Sequence, residues 1–433
     1  STITTDANAA GTENKFFDLY INPGVGNTVI AGSFLDIDNE LQVTSGTLAM
    51  AGQSADVAGI TKIDGTLSQS TGSTFTANGT TDIDGTLTLG EGIYNANVLT
   101  DIDGTLTLGT GTFTANGEFN ANSGNVTFTA GQAGNLTLKG AVTNLGTFTS
   151  NSAGTVTYNG TAAQDMPGTP TYNNLTIDNS VSDVTLTASP QVDGALTFTN
   201  GNITTGANTL TIGTLGTISN ATDAAHVDVT NTGGFLAKIF GGGGLFSFPV
   251  GNGAILRPID LTPVGASTFE VRYDDEKFTG GAGGNVLATS GALGNGWNAV
   301  GGHISGYANN NSQVNGGADN TPANEVTDGY QYMINRTGAA VTATLTINWT
   351  NRDQYGTGGP GSPGAAADVD GITWAEWDGV GAAWDVIAST PSGTIQNGSV
   401  VTNGIVNFAA STIFTLGSLD DGNYLPIDLV SFD

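Results

Sequence analysis

The chain has 433 residues, with 38 acidic and 9 basic side chains, 66 glycines and no cysteine. A formal charge of −29 argues against nucleic acid and anionic membrane surfaces as partners, because both are held by clustered Lys and Arg. Without Cys there is no disulfide, no thiolate nucleophile and no Cys-ligated metal centre. No stretch approaches the roughly 20 apolar residues of a spanning helix, so membrane insertion is not expected. No basic-then-apolar leader opens the sequence, and Ser1 reads as a mature or trimmed N-terminus.

From the N-terminus onward the chain repeats itself. Ile-Asp-Gly-Thr-Leu occurs at 63–67, 83–87 and 102–106, an almost even spacing. Degenerate copies stand at Ile37-Asp38-Asn39-Glu40-Leu41 and Val192-Asp193-Gly194-Ala195-Leu196. A longer match relates Leu19 and Ile21 to Leu175 and Ile177, and, at nearly the same offset, Leu41-Gln42-Val43 to Leu196-Thr197-Phe198. Within each copy the period is two: in Thr86-Leu87-Thr88-Leu89 the leucines face one way and the threonines the other. Alternation marks half-buried strands, and the Asp-Gly and Asn-Gly steps mark turns. No apolar stripe at helical spacing lasts three turns. Short strands, Gly corners and a period near 20 predict an all-β chain opening with a β-solenoid, whose coils stack at the strand spacing around a narrow core. An up-and-down meander or serial sandwiches is the alternative, and the spacing is uneven over 110–170.

The repeat stops near Ala225. All five tryptophans, Trp297, Trp349, Trp374, Trp377 and Trp384, lie beyond it, as do six of the nine basic residues. Strands are expected at 256–262, 268–273, 330–335, 343–349, 372–377, 383–387, 404–409 and 413–416, with a long loop over 356–367. Seven or eight short strands with Gly-rich turns predict an immunoglobulin-like β-sandwich. The expected domains are therefore a solenoid over 1–224, the sandwich over 225–420 and an extended strand or linker over 421–433.

Several strings here carry a resemblance: Phe248-Pro249-Val250-Gly251, Arg257-Pro258-Ile259, Thr344-Leu345-Thr346-Ile347-Asn348-Trp349, Trp377-Asp378-Gly379 with Trp384, and Phe414-Thr415-Leu416-Gly417-Ser418. Together they are similar to a module of large secreted proteins of Bacteroidota. The end, Leu425-Pro426-Ile427-Asp428-Leu429-Val430-Ser431-Phe432, looks like the junction that follows the module and leads to further domains or a type IX secretion sorting domain. The upstream repeats resemble adhesin-type surface proteins of the same group. The resemblance implies a secreted or cell-surface location and carries no activity.

Four constellations bear on chemistry. Asp82-Ile83-Asp84-Gly85 and Asp101-Ile102-Asp103-Gly104 would stack four carboxylates on successive coils, a hard-oxygen set suited to Ca²⁺. Asp36, Asp38, Asp64 and Asp193 would extend the row. The competing reading is that Asp caps the corner through an Asx turn. Thr86-Leu87-Thr88 and Thr105-Leu106-Thr107, with Thr66 and Ser68, would form a flat hydroxyl ladder resembling the ice-facing surface of solenoid antifreeze proteins, or simply an exposed β-branched face. His226 and His303 are the only histidines. His226-Val227-Asp228 has no accompanying nucleophile motif, and ahead of Lys238 the chain holds only Lys15, Lys62 and Lys139 as basic groups. Trp374, Trp377 and Trp384 would serve as a sugar platform or, more simply, as cross-strand packing. No catalytic residue or cofactor-binding residue is assigned, and Ca²⁺ is the one cofactor considered. The expectation is a non-enzymatic extracellular structural or adhesive protein, self-associating into a head-to-tail fibre. A monomeric glycan-binding adhesin is the alternative, followed by an ice binder or a polysaccharide-degrading enzyme.

Overall fold

The computed structural model describes residues 1–3, 15–151, 153–229, 233–253, 255–274, 325–326, 331–349, 372–378, 383–393, 398–403, 406–407 and 412–418. Two compact units emerge: Ser1–Thr204 with Asn208–His226, and Thr205–Ala207 with Val227–Asp433. No helix occurs among the described residues.

The first unit is a three-faced parallel β-solenoid in which one coil corresponds to one sequence repeat. One coil runs Thr81–Ile83, Thr86–Leu89, Ile93–Ala96, and the next Thr100–Ile102, Thr105–Leu108, Thr112–Ala115. Each strand pairs in parallel with its counterpart one coil away, so Ile63, Ile83 and Ile102 lie in register, as do Leu67, Leu87 and Leu106. Alternation turns these side chains inward, and all six are fully buried. Phe75, Tyr94 and Phe113 stack on the third face with centroids 4.8 and 5.2 Å apart and planes within 5°. Outside, Asn116 Nδ2 donates to Asn97 Oδ1 and Asn97 Nδ2 to Asn78 Oδ1, each at 2.7 Å, an amide ladder of the kind in-register stacking favours.

The corner between the first and second faces explains Asp-Gly. Both amides of the pair, Asp103 N–H and Gly104 N–H, donate to the Ile83 carbonyl one coil below, at 3.0 and 2.7 Å. That brings backbone onto backbone so closely that no Cβ fits.

Two sequence assignments need correction. Ile37–Leu41 is not a corner: it lies inside one long strand, Leu35–Val43, whose first part pairs with Ala55–Val57 and whose last part pairs with Ile60–Ile63. The segment opposite Ile63–Leu67 runs from Val43 to Leu48. Val192–Leu196 does turn, but at a different corner, between the ladders of Gln191–Val192 and Ala195–Asn200. The long-range sequence match reproduces pairing between neighbours, Leu19↔Leu41 and Leu175↔Leu196, on two different faces.

The unevenness around 110–170 also has a structural counterpart. The second-face ladder, eight strands long, ends at Thr147–Thr149, and the next coil's Thr171–Tyr172 belongs to another sheet. The first face breaks likewise after Val142–Asn144, while the third continues through Asn135–Leu138, Thr155–Tyr158 and Asn174–Asp178.

One inward position is mismatched. Gln69 stands in register with Leu89 and Leu108, is 3% exposed, and neither its amide oxygen nor its nitrogen has a partner among the described residues. Burying an unpaired amide costs about 1–3 kcal/mol. Gln69→Leu is therefore expected to stabilise the unit by about 1–2 kcal/mol, read as a higher urea midpoint at unchanged m. An unchanged or lower midpoint would show that the amide is satisfied.

In the second unit, Phe235–Phe240, Ser267–Asp274, Gln331–Thr337, Thr412–Ser418, Ile372–Asp378 and Ala383–Ile387 form one antiparallel series. Phe246–Phe248, Ile259–Pro263, Thr342–Trp349, Gly398–Thr402 and Ser389–Gly393 form another. Trp374 links the two: fully buried, it donates Nε1–H to the Val400 carbonyl at 3.2 Å. The expected strands are met with small end shifts, except that 256–262 divides into Ile255–Leu256 and Ile259–Pro263. Of 404–409, only Val406–Asn407 is described. Of the strands in these two series, Phe235–Phe240, Phe246–Phe248, Ser389–Gly393 and Gly398–Thr402 were not anticipated.

Candidate functional site

The acidic rows stack as their spacing predicts, with Asp82 beside Asp101 in register. What lies beside Asp82 on the other side is Lys62. Its ammonium reaches Asp84 at 3.0 Å, Asp82 at 3.2 Å and Asp64 at 3.4 Å. These bonds, that to Asp84 foremost, hold the Lys62 pKa above its ordinary value. The row thus carries a cation of its own. Further along, Ser123 Oγ donates to Asp103 at 2.8 Å. Asp101 is raised, first by partial burial and then by Asp103, Asp82, Asp84 and Glu118. Asp36 belongs elsewhere: it pairs with Asp56 on the third face and meets Lys15 at 3.1 Å, with Asp38 at 3.3 Å from the same ammonium. Among the described residues, no group of three or more His, Asp or Glu side chains is placed to hold a metal ion. The Asx-cap reading is also corrected, since Asp64, Asp84 and Asp103 bond to side chains rather than to their own corner amides.

The threonine rows extend well beyond the predicted rungs at Thr66/Ser68, Thr86/Thr88 and Thr105/Thr107. On the second face Thr28, Thr47, Thr66, Thr86, Thr105, Asn125 and Thr147 follow one another, and beside them Ile30, Ala49, Ser68, Thr88, Thr107, Thr127 and Thr149. None of these outward positions is charged. The first face, by contrast, presents Asp18, Glu40, Lys62, Asp82 and Asp101. Charge is segregated by face.

His226 is fully buried. Its Nδ1 lies 3.1 Å from the Thr222 carbonyl and Nε2 has no partner among the described residues, so it is the Thr222 carbonyl, and not Asp228, that Nδ1 faces. Burial lowers its pKa, against smaller raising effects from the Thr222 carbonyl and Asp183. A lowered folded-state pKa means that the neutral ring contributes stability above the unfolded value of about 6.5, and that this is lost as pH falls through the folded value. Urea unfolding at pH 7.5 and 5.5 is therefore expected to show a larger acid loss in the wild type than in His226→Leu. Equal losses would mean that the ring is not buried neutral.

Trp374 is framework rather than platform, set edge-on to Phe414 at 6.2 Å. Trp377 and Trp384 are cross-strand partners, but their side chains, and that of Trp349, lie outside the described residues. So do His303, Trp297, the 356–367 loop and 421–433.

Sequence reading missed a cleft of about 410 Å³ between Asn144–Ser150 and Pro167–Thr171. The uneven repeat spacing was the available signal.

These features define an all-β protein whose first unit is a parallel solenoid with charged residues on its first and third faces and a neutral, hydroxyl-bearing second face. No protein-family model, curated protein or solved structure matches the chain.

Proposed function

We propose that this is a non-enzymatic extracellular structural and adhesive protein, in which the solenoid is a stiff spacer and the second unit an immunoglobulin-like sandwich. The observation that carries this reading is in-register stacking over successive coils. Each added coil contributes buried Ile, Leu and Phe side chains and a further row of lateral backbone bonds, so length and rigidity grow together. The −29 charge keeps copies dispersed, while an uncharged face offers a surface that can approach another without Coulomb cost. Secretion by a type IX route in a Bacteroidota host is part of the proposal and rests on the sequence resemblance.

Head-to-tail assembly is part of the same reading. Among the described residues Thr2–Ile3 and Phe16–Ile21 each have a strand neighbour on one side only, and Phe17 and Tyr20 beside that edge are 69% and 56% exposed. A strand with one described neighbour is where a further strand can add, and in the proposed fibre a second copy supplies it. Negative-stain microscopy of concentrated protein should show filaments. A field of single particles at every concentration would rule out the fibre and leave a monomeric adhesin.

A further inference from the structure

The cleft lies where the second-face ladder is interrupted. Successive second-face strands begin at Thr105, Asn125, Thr147 and Thr171, so on this face the spacing widens from strand to strand. In the last of these coils all three connections are lengthened, and the one that leads into Thr171–Tyr172 is Pro167-Gly168-Thr169-Pro170. Neither proline has an N–H with which to continue the ladder from Thr147–Thr149. The aromatic rows register the same change: Phe148 meets Phe128 at 68° and Tyr172 at 59°, in contrast to the 5° stack of Phe75, Tyr94 and Phe113. Among the described residues no parallel ring covers a face of Phe148, and it is only half-buried. Tyr172, its ring centroid 5.4 Å from that of Phe148, shares a fully buried hydroxyl–hydroxyl bond of 3.0 Å with Tyr158.

The lining of the cleft has a definite chemistry. Phe148, Pro167 and Pro170 supply apolar surface. Asn144 accepts from the Gly146 N–H at 2.8 Å through Oδ1, which leaves its amide N–H groups available, and Thr149 and Ser150 add hydroxyls. No lining residue is charged, in a chain of net charge −29. A ring face bordered by neutral amide and hydroxyl groups suits a molecule with C–H faces and a hydroxyl rim. A volume of about 410 Å³ is in the range of small-ligand sites. A coil serving only as a spacer would be more stable with the gap closed. Departures from an otherwise consistent pattern are where function is to be sought.

We propose that this cleft binds a neutral pyranose unit of a glycan, stacked on Phe148 and hydrogen-bonded by Asn144, Thr149 and Ser150. The inference rests on the adhesive part of the proposed function and is independent of filament formation. The test is saturation-transfer NMR and calorimetry on the full chain, with cellobiose, lactose and N,N′-diacetylchitobiose as neutral probes and digalacturonate as the acidic one. At least one neutral disaccharide should bind with Kd on the order of 1 mM, and digalacturonate should not. Phe148→Leu keeps apolar bulk without the aromatic face, and Thr149→Arg fills the exposed rim with little demand on the core; each should weaken binding at least tenfold. No binding by any neutral probe, or equal binding of digalacturonate, overturns the proposal. Neutral binding that both variants retain overturns the cleft while leaving the adhesive reading intact. Filaments, scored separately by microscopy, report on assembly alone.

Discussion

Replacing Gly104 by Ala is expected to destabilise the solenoid by about 3 kcal/mol, the upper end of what overpacking costs. A Cβ there would stand 2.1 Å from the Gly85 carbonyl oxygen, 2.5 Å from that of Asp84 and 2.6 Å from the Asp84 carbonyl carbon. All three are backbone atoms, so no side chain can swing aside. Nor can the coil lift away easily, because Gly104 N–H and Thr105 N–H are bonded to Ile83 and Gly85 of the coil below at 2.7 and 2.8 Å. The chain repeats the solution: Gly85 would meet Gly65 O at 2.1 Å, and Gly65 would meet Gly46 O at 2.7 Å. Because coils contact only their neighbours, damage at one corner should also split the urea transition in two. Gly242→Ala, with nothing within 4 Å of the added carbon, should stay within about 0.5 kcal/mol of wild type. If Gly104→Ala behaves like Gly242→Ala, the corners are looser than their geometry states.

These glycines are the part of the fold most legible in the sequence. Ile-Asp-Gly-Thr-Leu is written by a corner that admits no Cβ between two inward positions, so its recurrence reports both the coil length and the register of Ile63, Ile83 and Ile102. The three faces were not legible, because similar letters occur at different places. Ile37-Asp38-Asn39-Glu40-Leu41 has the inward and outward alternation of a corner but lacks the glycine, and the chain runs straight through it as strand. The same limit applies to the acidic rows. Spacing placed Asp82 beside Asp101, yet it did not show that Lys62 reaches Asp64 on its own coil as well as Asp82 and Asp84 on the next. Burial of His226 comes from a neighbouring coil, where Asn202 Oδ1 accepts its backbone N–H at 2.9 Å, a contact that no local pattern announces. The string Thr147-Phe148-Thr149 is indistinguishable from Thr112-Phe113-Thr114. Only the prolines of the following coil decide that one ring is stacked and the other faces a cleft.

The segregation of charge explains how an acidic chain tolerates in-register stacking. Identical residues placed over one another would set like charges about 4.8 Å apart, at a cost of up to several kcal/mol near a protein surface. On the second face the stacked outward residues are Thr, Ser, Asn, Ala and Ile, which carry no such cost. On the first face, where Asp82 does sit over Asp101, Lys62 adjoins one end of the pair and Asn120 the other.

Tyr94→Ala is expected to cost about 4 kcal/mol, the usual price of deleting a fully buried aromatic ring, whereas Tyr94→Phe should cost about 1 kcal/mol. The ring is completely buried between Phe75 and Phe113. Truncation removes both stacking contacts and opens a cavity that coils pinned by lateral hydrogen bonds cannot collapse to fill. The hydroxyl is a smaller matter. It lies 3.1 Å from Thr81 Oγ1, and the two flanking phenylalanines show that the row accepts a ring without one. Burial also pushes the Tyr94 phenol well above its ordinary value, with the Thr81 and Thr61 hydroxyls pulling the other way. In the folded wild type it should therefore stay protonated at a pH where exposed tyrosines ionise. An alkaline spectrophotometric titration of wild type against Tyr94→Phe should show the same number of ionising tyrosines until the protein unfolds. One fewer in the variant would mean that Tyr94 already meets solvent, and the stacked core around it would have to be redrawn.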